Sequence, residues 1–157
     1  MKALKSILIA VVLLLAALPA SAQRIFGQYP DNPEITSVYI SPAAMRLGLK
    51  AMQNDDKGSE SLKYVTNPRG MEVLTSENHA SASLLREDCA SIIRNLNLEL
   101  LLNTQEKDES VNIYVGSISD DNKAKDILIE TTGASEYTVV YIRGDIDING
   151  LLNDGKK

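Results

Sequence analysis

The segment Ser81–Leu96 is the most periodic part of the chain and constrains its fold more than any other feature. Its apolar residues share an arc about 100° wide on a helical projection, which is the width of a helix face that covers a core. They are Ala82, Leu85, Cys89, Ile92, Ile93 and Leu96. Arg86, Glu87 and Arg94 lie on the opposite side of the projection. The pattern predicts an amphipathic helix, and β-rich segments lie on both sides of it in the sequence.

The first half of the chain predicts a strand, a short helix and a strand pair. Ile35–Ile40 alternates and is rich in β-forming residues. A helix over Ala43–Met52 follows, because the hydroxyl of Ser41 can cap it and Pro42 occupies the first helical position. Strands at Leu62–Thr66 and Met71–Thr75 are predicted on either side of a turn, since Asn67–Gly70 places proline second and glycine fourth.

The second half is richer in β-strand patterns. Leu98–Leu102 fits either a strand or a further turn of the central helix. From Val111 onward three β-rich runs are separated by short polar connections, which favour an antiparallel meander. Together the elements predict an α+β two-layer sandwich with a mostly antiparallel sheet and its helices packed on one face. We assign residues 35–154 to a single domain and residues 23–34 to an irregular lead-in.

Residues 1–22 have the pattern of a cleaved signal peptide. Lys2 and Lys5 precede the apolar run Ile7–Leu18, and small residues follow at 20–22. A run of about 12 apolar residues is too short to cross a bilayer. We therefore expect export to the periplasm or the extracellular space, a new amino terminus at Gln23 and no transmembrane segment after cleavage.

The charge of the chain disfavours two classes of partner. The formal net charge is −5, and it becomes −7 once the two lysines of residues 1–22 are removed. An acidic protein without a basic cluster is a poor ligand for nucleic acid or for anionic lipid.

Catalytic and metal-binding motifs are weak in this sequence. His79 is the only histidine and Cys89 the only cysteine, and almost three helical turns separate them, so they form a poor nucleophile–base pair. Cys89 lies on the apolar helix face and is predicted to be buried and inert. Asp145–Gly150 matches the first half of a calcium loop, but Lys156 replaces the bidentate glutamate at its twelfth position. No cofactor or metal is predicted.

Four of the six tyrosines are predicted to share one face of the sheet. Strand alternation puts Tyr39, Tyr114, Tyr137 and Tyr141 opposite the aliphatic residues of their strands. If the aliphatic faces cover the helices, the tyrosine face is exposed. It then serves either as a surface for partner binding or self-association, because tyrosine is enriched at interfaces, or simply as a wet sheet face.

Several blocks, in their order along the chain, resemble a known family. They are 36–41 followed by 43–46, then 71–78, 111–115 and 136–146. The family consists of small exported Bacteroidetes proteins and is catalogued only as a domain of unknown function. The resemblance covers nearly all of the mature chain, with departures at residues 53–60 and 67–70. It implies an envelope location and a binding or regulatory role, and it supplies no catalytic residues.

The sequence thus favours a non-enzymatic exported domain that binds another envelope protein. Two alternatives remain at this stage. One is a small envelope hydrolase that uses His79 or loop carboxylates. The other is a calcium-stabilised structural module around Asp145, Asp147 and Asn149.

Removal of residues 1–22 is directly testable. Mass spectrometry of the exported protein is expected to show Gln23 as the first residue, because the small residues Ala20, Ser21 and Ala22 form the cleavage site. Retention of residues 1–22 in the exported protein would contradict the prediction.

Overall fold

The computed structural model describes residues 24–27, 29, 31–52 and 64–150. Six strands and two helices longer than one turn make up this part of the chain. In order they are β1 (Thr36–Ile40), α1 (Pro42–Met52), β2 (Val65–Ser76), α2 (His79–Asn95), β3 (Glu99–Glu106), β4 (Glu109–Val115), β5 (Lys123–Thr132) and β6 (Tyr137–Asp147). No helix among the described residues has the length and apolar character needed to cross a membrane.

The strands form one antiparallel sheet in the order β1-β2-β6-β5-β4-β3. β3 to β6 are a meander in which each strand pairs with the next, which is the arrangement that the short polar connections indicated. The α+β class and the antiparallel sheet are confirmed. The ambiguous segment after the central helix is a strand, β3.

The turn predicted at Asn67–Gly70 is wrong, because β2 runs through these residues as one strand. Its register with β6 shifts between Thr66 and Gly70, which marks a bulge. Asn67 and Gly70 absorb the irregularity with φ angles of 49° and 129°. A Cβ at position 70 would also lie 3.1 Å from Nη2 of Arg143. Pairing with β6 before and after the bulge therefore outweighs the local turn preference.

The central helix, α2, forms as its periodicity predicted. Asn78 begins it by accepting hydrogen bonds from the backbone N–H groups of Ala80 and Ser81 at 3.0 Å each. Leu85 and Cys89 are fully buried on its sheet-facing side. The helix begins at His79, two residues before the apolar pattern starts. Its first residue is set by the cap, Asn78, which lies in the loop after β2 and is not part of the apolar pattern.

The two helices lie on opposite faces of the sheet, so the expectation that both pack on one face is wrong. Leu85 of α2 belongs to a buried cluster with Leu74 and Val139. Met45 of α1 belongs to a separate cluster, against which Met71 and Ile142 pack. Neighbours along a strand alternate between faces, and β2 and β6 carry apolar residues at both alternations. The sequence pattern therefore could not fix which face each helix covers.

The predicted irregular lead-in is part of the core. Phe26 and Tyr29 are buried in the cluster under α2. The carboxylate of Glu72 on β2 accepts hydrogen bonds from the backbone N–H groups of Ile25 at 2.7 Å and Phe26 at 3.1 Å. The domain therefore begins before residue 35. The signal peptide and residues 151–154 of the predicted domain lie outside the described residues.

Glu72 should contribute strongly to stability. Glu72→Leu leaves two backbone N–H groups without acceptors and should lower the free energy of unfolding by roughly 2–4 kcal/mol, measured by urea denaturation. Glu72→Gln keeps the shape and one acceptor oxygen and should cost less. Equal stability of the parent and both variants would show that the carboxylate does not hold the lead-in.

Candidate functional site

The tyrosines do share one face, but α2 covers that face. Tyr137 and Tyr141 are 1% and 2% exposed and lie in the cluster with the buried residues of α2. Tyr114 packs against the same cluster. Tyr39 pairs with Glu72, which pairs with Tyr141, so all three point to this side of the sheet.

The prediction of an exposed tyrosine face opposite the central helix is therefore wrong. Tyrosine can be buried when its hydroxyl finds a partner. The Tyr137 hydroxyl donates to Glu130 at 2.6 Å, and the Tyr141 hydroxyl donates to Asp126 at 3.2 Å. These two rings are not accessible to a partner, so a binding surface would have to consist of other residues.

Cys89 is buried beside these tyrosines, as its position on the helix predicted. Burial raises the pKa of the Cys89 thiol from its ordinary 9.0 to about 12, although a hydrogen bond with Tyr137 acts in the opposite direction. Burial likewise raises the pKa of Tyr137, as do the neighbouring Cys89 and Glu130. A thiol with so high a pKa is not a nucleophile at neutral pH. The Cys89, Tyr137 and Glu130 cluster is a structural network.

His79 lines an open cleft between the start of α2 and the β5–β6 turn. The cleft has a volume of about 350 Å³. Its lining includes His79, Glu77, Ser135, Glu136 and Arg86. Among the described residues, the His79 side chain forms no hydrogen bond with Ser135 or either glutamate, and Glu136 instead accepts one from Thr138. The cleft brings the residue types of a hydrolase together without a hydrogen-bonded nucleophile and base.

A partly buried carboxylate, Asp126, was not anticipated from the sequence. It accepts hydrogen bonds from Nη2 of Arg69 at 2.7 Å and from the backbone N–H of Gly144 at 3.0 Å, in addition to the Tyr141 hydroxyl. It lies at a bulge in β5 with φ 58°. A single aspartate inside a β-rich run gives no sequence signal for this role. The arrangement ties β2, β5 and β6 together where two of them are irregular.

The residues of the calcium-loop motif have local structural roles. Asp147 accepts a hydrogen bond from the backbone N–H of Gly150 at 3.1 Å, as a residue that caps a helical turn does. The Asp145 carboxylate lies 3.4 Å from the side-chain amide of Asn67. Within the described residues, no three His, Cys, Asp or Glu side chains are grouped so as to hold a metal ion.

The face on the α1 side carries an unbroken row of aliphatic residues across all six strands. Register pairs connect each member to the next. From edge to edge the aliphatic row is Val38, Val73, Val140, Ile129, Ile113 and Leu102. Its two ends, Val38 and Leu102, are 48% and 44% exposed, and the four residues between them are partly buried.

A second uncharged row runs beside the aliphatic row. It consists of Thr36, Thr75, Thr138, Thr131, Val111 and Thr104. With strands ~4.8 Å apart, each row spans about 24 Å between the outer strands, and the rows are about 7 Å apart. Twelve neighbouring positions on one sheet face therefore carry no charge. The alternation of side chains within each strand predicted which side of that strand is aliphatic. Only the order of the strands in the sheet shows that these sides form one continuous row.

The buried thiol predicts a loss of stability at alkaline pH. The unfolded chain ionises Cys89 near pH 9.0 and the folded chain only near 12, so the unfolded state binds fewer protons above pH 9. The free energy of unfolding should fall by about 1.4 kcal/mol between pH 8 and pH 10 through this group. Denaturation of the parent and of Cys89→Ala at both values checks this. An equal pH dependence in the two proteins would contradict it.

Comparison with known proteins yields a family and no function. No curated protein and no solved structure shows a significant match to the chain. Residues 29–152 match the family model described as Domain of unknown function (DUF4252). This range contains all six strands and both helices. Since the match covers most of its length, the chain belongs to this family of domains of unknown function.

Proposed function

We propose that the protein is an exported, non-enzymatic domain that binds another protein of the cell envelope through the aliphatic row. The observation that carries the proposal is the continuity of the row over six strands with exposed residues at both ends. Contiguous apolar surface of several hundred Å² on a soluble domain commonly marks an interaction site.

The chemistry of the row suits a preformed protein interface. Valine, isoleucine and leucine side chains on a hydrogen-bonded sheet lose little conformational freedom on binding, because χ1 of β-branched residues is already restricted. Burial of each further apolar Å² contributes about 25 cal/mol. The adjoining threonines offer hydroxyl groups for a polar rim, as in the pair between Thr75 and Thr138 at 2.9 Å.

The charge of the chain indicates what kind of partner fits. A net charge of −7 for residues 23–157 makes two copies repel as they approach, whereas a basic protein is attracted. We therefore expect a partner with an apolar patch surrounded by lysine and arginine. Self-association of two copies through the row is the competing outcome. The envelope location follows from the signal-peptide pattern of residues 1–22 and is part of the proposal.

A small hydrolase is the second candidate, and the cleft at the start of α2 favours it. The cleft places His79, Ser135 and two glutamates around one opening. The His79 side chain has no hydrogen bond to orient it as a base toward Ser135 among the described residues, so we rank this candidate second. Ester or peptide hydrolysis by the purified protein that disappears in His79→Ala would reverse the order.

Two central residues of the aliphatic row provide the test. Val73→Thr with Val140→Thr keeps the side-chain shape and the β-branched geometry but adds hydroxyl groups that resist burial. Partners are captured from envelope extract, identified, purified and titrated by calorimetry. The double variant should bind its partner at least about tenfold more weakly, which is a difference of about 1.4 kcal/mol.

The matched control changes exposed leucines on the other side of the sheet. Leu84 and Leu96 are 55% and 41% exposed on and just after α2. Leu84→Gln with Leu96→Gln should leave the affinity unchanged. If the valine variant binds as tightly as the parent, or only the leucine variant loses binding, the aliphatic row is not the binding surface.

A further inference from the structure

The two edges of the sheet are protected to very different degrees. β1, at one edge, has only five residues and is followed directly by Ser41 and Pro42. Arg24 lies against it, donating to the Ser37 hydroxyl at 3.0 Å and placing its guanidinium 5.1 Å from the centre of the Tyr39 ring. Short length, a following proline and a covering segment are features that discourage pairing with another strand.

β3, at the other edge, has none of these protections within the part of the chain that the structure describes. It has eight residues, and all of them except Leu101 are exposed. The strand contains no proline and no lysine. A bulge at Leu101 disturbs its first part, but the register with β4 is regular from Leu102 to Glu106. This regular stretch is long enough to pair with an added strand.

In the described sheet, alternate backbone groups of this stretch face the open edge, where an added strand can pair with them. Lys107 and Asp108 form a two-residue turn between Glu106 and Glu109. In such a hairpin the pair that closes the turn is hydrogen-bonded, and the bonding direction alternates along the strand. The N–H and C=O groups of Gln105 and Asn103 therefore point away from β4, toward the open edge.

The charges around β3 distinguish between possible occupants. The strand, its turn and the first residue of β4 carry a net charge of −3, from Glu99, Glu106, Asp108 and Glu109 against a single Lys107. Residues 100–105 between the acidic groups are neutral. Pairing of two β3 edges brings a combined charge of −6 together. An added strand that is neutral in its centre and basic at its ends meets opposite charges instead.

We propose that β3 binds an extended segment of the partner protein, with an apolar or neutral centre and basic flanking residues, as a seventh strand of the sheet. The proposal rests on the protein-binding function proposed above and names how the partner engages. Leu102 connects the two surfaces, because it is both the last residue of the aliphatic row and a member of β3. A strand added there extends the row by one position.

The test uses two synthetic peptides that differ only in their ends. Both contain an alternating valine–threonine centre of six residues, flanked by two lysines on each side in one and by two glutamates in the other. Amide hydrogen exchange of the full mature protein is measured by NMR with and without peptide. The lysine peptide should slow exchange at Asn103 and Gln105 and bind about tenfold more tightly than the glutamate peptide at low salt.

Two variants and one control distinguish pairing at the β3 edge from non-specific binding of the peptides. Leu102→Lys adds a positive charge and removes an apolar contact at the edge, and should weaken binding of the lysine peptide at least about tenfold. Leu47→Lys changes a more exposed leucine, on α1, and should leave binding unchanged. Glu99→Lys with Glu106→Lys should reverse the preference so that the glutamate peptide binds better.

The outcomes distinguish this proposal from the proposed function. Absence of protection at Asn103 and Gln105 with either peptide overturns the strand-addition proposal. Protection that appears without peptide and grows with protein concentration also overturns it, in favour of pairing between two copies. Val73→Thr with Val140→Thr should retain peptide binding at the edge. If that variant loses the purified envelope partner while peptides never bind β3, the aliphatic row stands and only strand addition fails.

Discussion

The fold depends on a sheet whose central strands bury side chains on both faces. Successive side chains of β2 and β6 enter a cluster under α2 and a cluster under α1 in alternation. Both faces of these strands therefore carry apolar side chains. Such a sheet needs cover on both sides, and two helices of 17 and 11 residues cannot cover six strands completely. The lead-in adds Phe26 and Tyr29 on the α2 side. On the α1 side the aliphatic row is only partly covered, since its four inner residues are partly buried and its two ends are exposed.

Local patterns in the sequence predicted the parts of the fold that local interactions determine. The periodicity of α2 and the short connections of the meander depend on residues close together in the chain, so both were found. Asn67–Gly70 satisfies every local rule for a turn, but pairing of β2 with β6 on both sides of it makes it a bulge. The place of Phe26 depends on Glu72, 46 residues away, and no pattern within the lead-in encodes that contact.

The candidate site illustrates the same division. The sequence correctly indicated that four tyrosines share one face, because alternation is a local property. It did not indicate that this face is buried, because burial of the rings depends on hydroxyl acceptors in a neighbouring strand, β5: Glu130 for Tyr137 and Asp126 for Tyr141. The aliphatic row could not be predicted from the sequence either. Its six members come from six strands, and only the spatial strand order makes them neighbours.

Two buried carboxylates, Glu72 and Glu130, and the partly buried Asp126 bear on where function resides in this molecule. Glu72 accepts from two backbone N–H groups, Asp126 accepts from three donors, and Glu130 accepts from a tyrosine hydroxyl. A carboxylate engaged in this way holds strands and the lead-in in place, and a proton taken up in catalysis would remove part of the acceptor capacity that its donors use. These three carboxylates are thus committed to structure. The ends of the aliphatic row and the edge of β3 differ from these carboxylates, because Val38, Leu102 and every residue of β3 except Leu101 are exposed. Substitutions at exposed positions such as these cost the fold less than substitutions at the carboxylates.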